Sequence, residues 1–291
     1  MASPQALNGS AFYEDTGNEF RIPPWADILK AENIQPILVY FVLFRMASFL
    51  AKRYTWTEYT GFKQYRLRNL SICFIHSVIS ATIALTFSVT HLNEVLFNPM
   101  HWYQHCWRHG LLFSAAYFLH DTIDMLEFEL SKFTAELLLH HFCCVFVFVV
   151  TVTSRKFLPY AYCALLMEVN SVTLHLRTLM QLSGTSTQYI RTFRAVQYAN
   201  IFTFLVFRFC VQVFELHWAI VNISNMHVFF FLVGTIGGIT FLIINSCLFL
   251  RILASDGFLG DAGRNAAAIN RDILGERNDS SVARTRHHKD Q

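Results

Sequence analysis

The sequence predicts an all-α polytopic membrane bundle of about seven transmembrane helices. Hydrophobic residues make up 54% of the 291 and charged residues only 15%, against about 25% charged in an ordinary soluble domain. Mean hydropathy is +0.35. Apolar runs of membrane-crossing length, about 17–25 residues, recur along the chain. Short connections between them carry many of the basic residues.

In order, the expected spans cover residues 34–51, 70–90, 110–126, 135–153, 158–180, 195–217 and 227–253. The third and fifth hold several polar residues and are weak on hydropathy alone. The first 33 residues lack the basic start and apolar run of a cleavable leader, so the first span is expected to persist as a signal anchor. Lys52, Arg53, Lys63, Arg66 and Arg68 follow that span, whereas Arg21 and Lys30 precede it. This bias predicts an N-terminus outside and a C-terminus in the cytosol. The expected organisation is an extracytosolic segment over 1–33, a first helix with its basic cytosolic loop over 34–66, and six further spans over 67–253. A polar cytosolic tail over 254–291 is expected to be disordered. Sequons at Asn8 and Asn222 fall on the outer side, and those at Asn69 and Asn278 on the cytosolic side.

A net charge of +3, without a basic-aromatic cluster, gives no case for nucleic acid as a partner. The seven cysteines form no CxxC pair and no disulfide framework. Six lie in apolar runs, where cysteine acts as a small hydrophobe. Cys106 alone falls in a connection.

The polar residues inside the spans carry the functional signal. An ionisable side chain near the bilayer centre costs at least about 2.5–3.5 kcal/mol on insertion scales, so it is usually paired or functional. The third span places His120, Asp121 and Asp124 together. Asp121 and Asp124 share a face, and His120 can pair with Asp124 one turn away. In the fourth, Glu136, His140 and Cys144 form a stripe, and His141 is rotated about 100° from His140, so the two imidazoles reach different neighbours. In the fifth, Asn170, Thr173 and Arg177 line one face, and Glu168 and His175 another. The sixth adds Asn200, Arg208 and Gln212. These stripes predict a polar cavity within the bundle, open to a lipid headgroup or acyl carbonyl. The competing expectation is an ion-pair network that only fixes helix register.

His140 and His141 are the candidate catalytic residues, as a general base or as an acyl carrier. No metal site is expected: the fourth span has no i, i+4 histidine pair. His101, His105 and His109 do have helical ligand spacing, but Trp102, Tyr103 and Trp107 interleave them, as in an interfacial belt or surface helix. Gly234, Gly237 and Gly238 in the last span are expected to serve helix packing.

The segments NLSICFIHSVIS, YFLHDTIDM, ELLLHHF, LLMEVNSVTLHLRTLMQLS and YANIFTFLVFRF resemble the TLC family over about Arg68 to Arg251. That family groups translocation-associated membrane proteins, ceramide synthases and neuronal-lipofuscinosis membrane proteins. The similarity is closest to the subgroup of TLC domain-containing proteins 1 and 2 and their invertebrate counterparts. It implies a TLC bundle preceded by one extra N-terminal helix. It also implies a plasma-membrane protein that restrains polyunsaturated chains in phospholipids and so limits fluidity, with the endoplasmic reticulum as the alternative compartment. The implied partners are membrane phospholipids or fatty acyl groups, and no cofactor is implied. In ceramide synthases a histidine pair, matched here by His140 and His141, works with aspartates downstream of it to transfer an acyl group from acyl-CoA. Here the similar HDTIDMLE precedes the pair, and Glu168 and Asn170 take the later position. That departure separates the chain from ceramide synthases proper. It leaves another acyl transfer, with acyl-CoA as donor, as the alternative.

Overall fold

The computed structural model describes residues 29–128 and 132–260. The expectations for the N-terminal segment, Asn8, Asn278 and the tail beyond 260 lie outside the described residues. The chain divides into two compact units, Met1–Leu242 and Ile243–Gln291. The contacts below belong to the first.

The helices are α1 (Ala31–Tyr54), α2 (Gly61–Thr90), α3 (Leu92–Phe97), α4 (Arg108–Phe128), α5 (Lys132–Ser154), α6 (Leu158–Leu165), α7 (Glu168–Ser183), α8 (Thr185–Gln188), α9 (Ile190–Phe204), α10 (Val211–Val221) and α11 (Val228–Ser255). A π-helical turn, Leu205–Cys210, joins α9 to α10. Among the described residues, five segments are long and apolar enough to cross a membrane: Ala31–Tyr54, Gly61–Thr90, Ala135–Ser154, Ile190–Val221 and Val228–Ser255. The chain is an all-α, multi-pass membrane protein. The third and fifth predicted spans are also helical, as α4 and as α6 with α7, and are the two made polar by their histidines and acids.

Helix α2 is the hub, packed against α1, α4, α6 and α7. Small side chains allow this: Ser77, Ser80, Ala84, Ser114, Ala115 and Ala116 are fully buried, letting backbones approach closely. At Gly110 a Cβ would collide with the Tyr162 hydroxyl, which donates to the Trp107 carbonyl while its ring stacks 4.1 Å from Phe87. Contacts between connections mark two ends of the bundle. At one, Tyr59 donates to the Ser183 carbonyl and Tyr65 packs on Phe128. At the other, the Phe157 N–H donates to the Met100 carbonyl and Tyr160 to that of Glu215.

Four local features depart from expectation. The fifth span is not one helix. The Met167, Val169 and Asn170 N–H groups reach back three residues, and this tight turn restarts the helix at Glu168, whose carboxylate suits the new N-terminus. The sixth span carries the π turn. Residues 101–107 are not helical, so His101, His105 and His109 do not share a helix face. Trp102 and Tyr103 are buried, and Trp102 and Trp107 pack around Phe87 and His91. This plug replaces the expected lipid-facing belt, because a turn can direct alternate rings inward where a helix would fan them out. Of the three glycines, Gly238 alone is tight, its Cβ position 2.6 Å from Leu216, whereas Gly237 has open space.

Candidate functional site

The intramembrane polar residues separate into two groups. The first is sealed between α1, α2, α4 and α5. Asp124 accepts from Arg45 at 2.7 Å and lies 3.9 Å from the His120 Nε2. Asp121 accepts from the Asn69 amide at 2.8 Å and lies 3.8 Å from the His141 Nε2. His120, Asp121, Asp124 and His141 are all buried, at 1–4% exposure. Phe44 stacks over His120, and Phe118 lies 4.9 Å from His141. The two aspartates share a face, as their spacing predicts, but serve different partners.

The second group converges from α2, α5, α7 and the π turn. Glu168 accepts from Ser77 at 2.7 Å and sits 3.7 Å from the His76 Nδ1. His76 is fully buried, stacked 3.7 Å from the Tyr117 ring and held by Ser80 through Nε2 at 2.9 Å. Arg208 donates to the Asn170 Oδ1 at 2.7 Å and to the Ser171 hydroxyl at 3.0 Å. Asn170 in turn donates to the Asn200 side chain and to Thr203, and Thr173 bonds Thr203 as well. The π turn adds one residue to the repeat at Arg208, a device frequent at functional sites, and both Arg208 and Gln212 end up buried.

On the facing helix, the Cys144 Sγ lies 3.6 Å from the His140 Nε2. Both are only partly buried and both feel the charge of Arg208; Cys144 also feels Glu168. Yet α4 packs on α5 and α2 on α7, while α5 and α7 share no comparable seam among the described residues. The two polar walls therefore lack a broad packed seam, though Cys144 is within electrostatic reach of Glu168 and Arg208. Phe241 covers His140 edge-on at 4.9 Å. His175 is partly exposed, within electrostatic reach of His76 and Arg208. Glu136 is half-buried one turn before His140, and Arg177 is buried. Among the described residues no group of three or more metal-ligating side chains converges.

The sequence reading passed over His76, Arg45 and Glu215, ionisable residues that are buried or paired within the bundle. His76 has a legible signal, with Ser77 and Ser80 following it inside an apolar run. Arg45 stands alone in the first span, and nothing in the sequence names Asp124 as its partner.

A family model for the TLC domain matches residues 66–254. The chain belongs to the TLC domain family. Similar curated proteins include TLC domain-containing protein 2 of Danio rerio, 27% identical over 66% of this chain and 77% of its own length. TLC domain-containing protein 1 of Gallus gallus is 29% identical over 73% and 81%, and human TLC domain-containing protein 2 is 27% identical over 74% and 81%. Within this TLC chain, the matched stretch includes both polar groups of the bundle except Arg45, which lies on α1 before it.

Proposed function

We propose that this protein takes the polar part of a phospholipid or fatty acyl group between α5 and α7, and thereby restrains polyunsaturated chains in membrane phospholipids. The supporting observation is the pair of facing walls: His140 and Cys144 on one, Glu168 and Arg208 on the other, partly open where the neighbouring network is closed. Arg208 supplies a cation for a phosphate or an ester carbonyl, and His140 a hydrogen-bond donor or acceptor. The likeness to the subgroup of TLC domain-containing proteins 1 and 2 supports lipid composition as the output. Residence in the plasma membrane and a cytosolic C-terminus belong to the same proposal, the latter resting on the basic loop after α1.

Cells expressing the wild type, His140→Ala or His140→Gln at matched folded levels test it by phospholipid lipidomics. Loss of the restraint in His140→Ala supports the binding reading, and full retention contradicts it.

A second reading is acyl transfer, favoured by the aspartate behind His141 and the thiol beside His140. A carboxylate partner fixes an imidazole tautomer for general-base work. His140→Gln separates the two readings: the amide keeps a hydrogen bond but neither takes up nor gives up a proton at neutral pH. Retained restraint indicates binding, and lost restraint with normal folding indicates proton transfer.

A further inference from the structure

Glu215, on α10, belongs to neither polar group and is buried, at 6% exposure. Its Oε1 has no hydrogen-bond partner, and among the described residues no ion pair reaches the carboxylate. The nearest donors point elsewhere. The Tyr160 hydroxyl donates to the main-chain carbonyl of Glu215 at 3.1 Å. The Gln212 amide, one turn earlier on α10, donates to the Gly238 carbonyl at 2.9 Å.

The packing fixes what faces this carboxyl. The short connection between Val221 and Val228 makes α10 and α11 antiparallel. Gln212 and Leu216 both meet Gly238. One turn past Gln212 is therefore level with one turn before Gly238, which sets Glu215 at the height of Gly234 and Thr235. Tyr160 agrees with that register: its hydroxyl also lies 3.7 Å from the Gly234 Cβ position. The Thr235 Oγ1 is likewise buried without a hydrogen-bond partner. From α6, Tyr160 and Cys163 feel the Glu215 charge, and neither is a cation. Residues 228–242 of α11 contain no ionisable side chain. His217, two positions on, is exposed and rotated to the other side of α10.

An ionised carboxylate without a cation or a donor is far costlier in such surroundings than the neutral acid. We propose that Glu215 is an intramembrane proton-binding site that holds its proton at neutral pH. A proton needs no cavity, which suits a seam where the Gly238 Cβ position already lies 2.6 Å from Leu216. The neutral acid lets α10 and α11 close, whereas the carboxylate would draw water or a cation between them. The site is separate from the crevice between α5 and α7 and does not depend on the lipid reading of that crevice.

Infrared difference spectra of the full chain in lipid vesicles, wild type minus Glu215→Gln, test it. At about pH 7 the expected result is a protonated-carboxyl stretch that the variant lacks. It gives way to carboxylate bands toward about pH 10, across the range in which buried carboxyls lose their proton. Carboxylate bands alone at neutral pH overturn the proposal. The amide mimics the neutral acid, so the variant should melt with the wild type near about pH 6 and above it near about pH 10. The sign follows because a carboxyl neutral only in the folded chain loses stability as the pH rises and the unfolded chain releases the proton. A wild type that gains on the variant with rising pH overturns the proposal too. If the variant does not fold, labelling of the wild type decides. Dicyclohexylcarbodiimide enters the bilayer and reacts with protonated carboxyls. Peptide mass spectrometry should find Glu215 modified by it, and severalfold less by a water-soluble carbodiimide. A Glu215 left unmodified by the bilayer-soluble reagent contradicts the proposal.

Discussion

Two clusters of the same chemistry lie side by side in this bundle, and their differences separate structure from function. Around Asp121 and Asp124 every charge has a near partner, aromatic rings close over the histidines, and exposure falls to a few per cent. Around His140 and Arg208 the groups come from helices that share no tight seam among the described residues, and several keep exposed surface. The first cluster spends its polarity on itself. The second keeps exposed surface, which the proposed function assigns to a lipid.

Removing one partner from the sealed network has the largest expected effect on folding. Arg45→Met strands the Asp124 carboxylate, and breaking a buried pair costs about 3–5 kcal/mol. The lower end applies because the Arg45 side chain is 39% exposed. A thermal unfolding series in detergent reads this as a large drop in melting temperature. An unchanged melting temperature would show that the pair contributes nothing and that the network is not structural.

The double variant Arg45→Met with Asp124→Leu sharpens the point. Replacing both partners with apolar side chains is often close to neutral, so it should recover most of the stability lost in the single variant. Failure to recover would mean that Asp124 works chiefly through His120.

His141→Ala is expected to cost about 1–2 kcal/mol, because Asp121 keeps its bond from Asn69. The smallest stability effect belongs to His140→Ala, below about 1 kcal/mol, since it is only partly buried and its hydrogen-bond partner is one thiol, beside ring contacts with Phe118 and Phe241. A larger loss at His140 than at His141 in the same melting series would reverse the comparison.

The contrast was only partly legible in the sequence. Five of the seven expected spans follow from apolar length, and the pairing of His120 with Asp124 follows from helical spacing. The different orientations of His140 and His141 follow from the 100° rotation between them. Chain spacing could not reveal partners on other helices, such as Arg45 for Asp124 or Asn69 for Asp121. Nor could it reveal the restart of the helix at Glu168 or the π turn at Arg208, because both depend on backbone hydrogen bonds that skip the regular repeat. The His101–His109 cluster misled for the opposite reason: its i, i+4 spacing has meaning only within a helix, and the chain turns there instead.

The most direct measurement sets the two clusters against each other: phospholipid acyl-chain profiles of cells expressing either the Arg45→Met, Asp124→Leu pair or His140→Ala, at equal amounts of folded protein. The expected outcome is a wild-type profile for the paired variant and, for His140→Ala, a polyunsaturated share as high as in cells without the protein. A wild-type profile from His140→Ala, or loss of the restraint in the paired variant alone, would contradict the division between a sealed scaffold and an open lipid site.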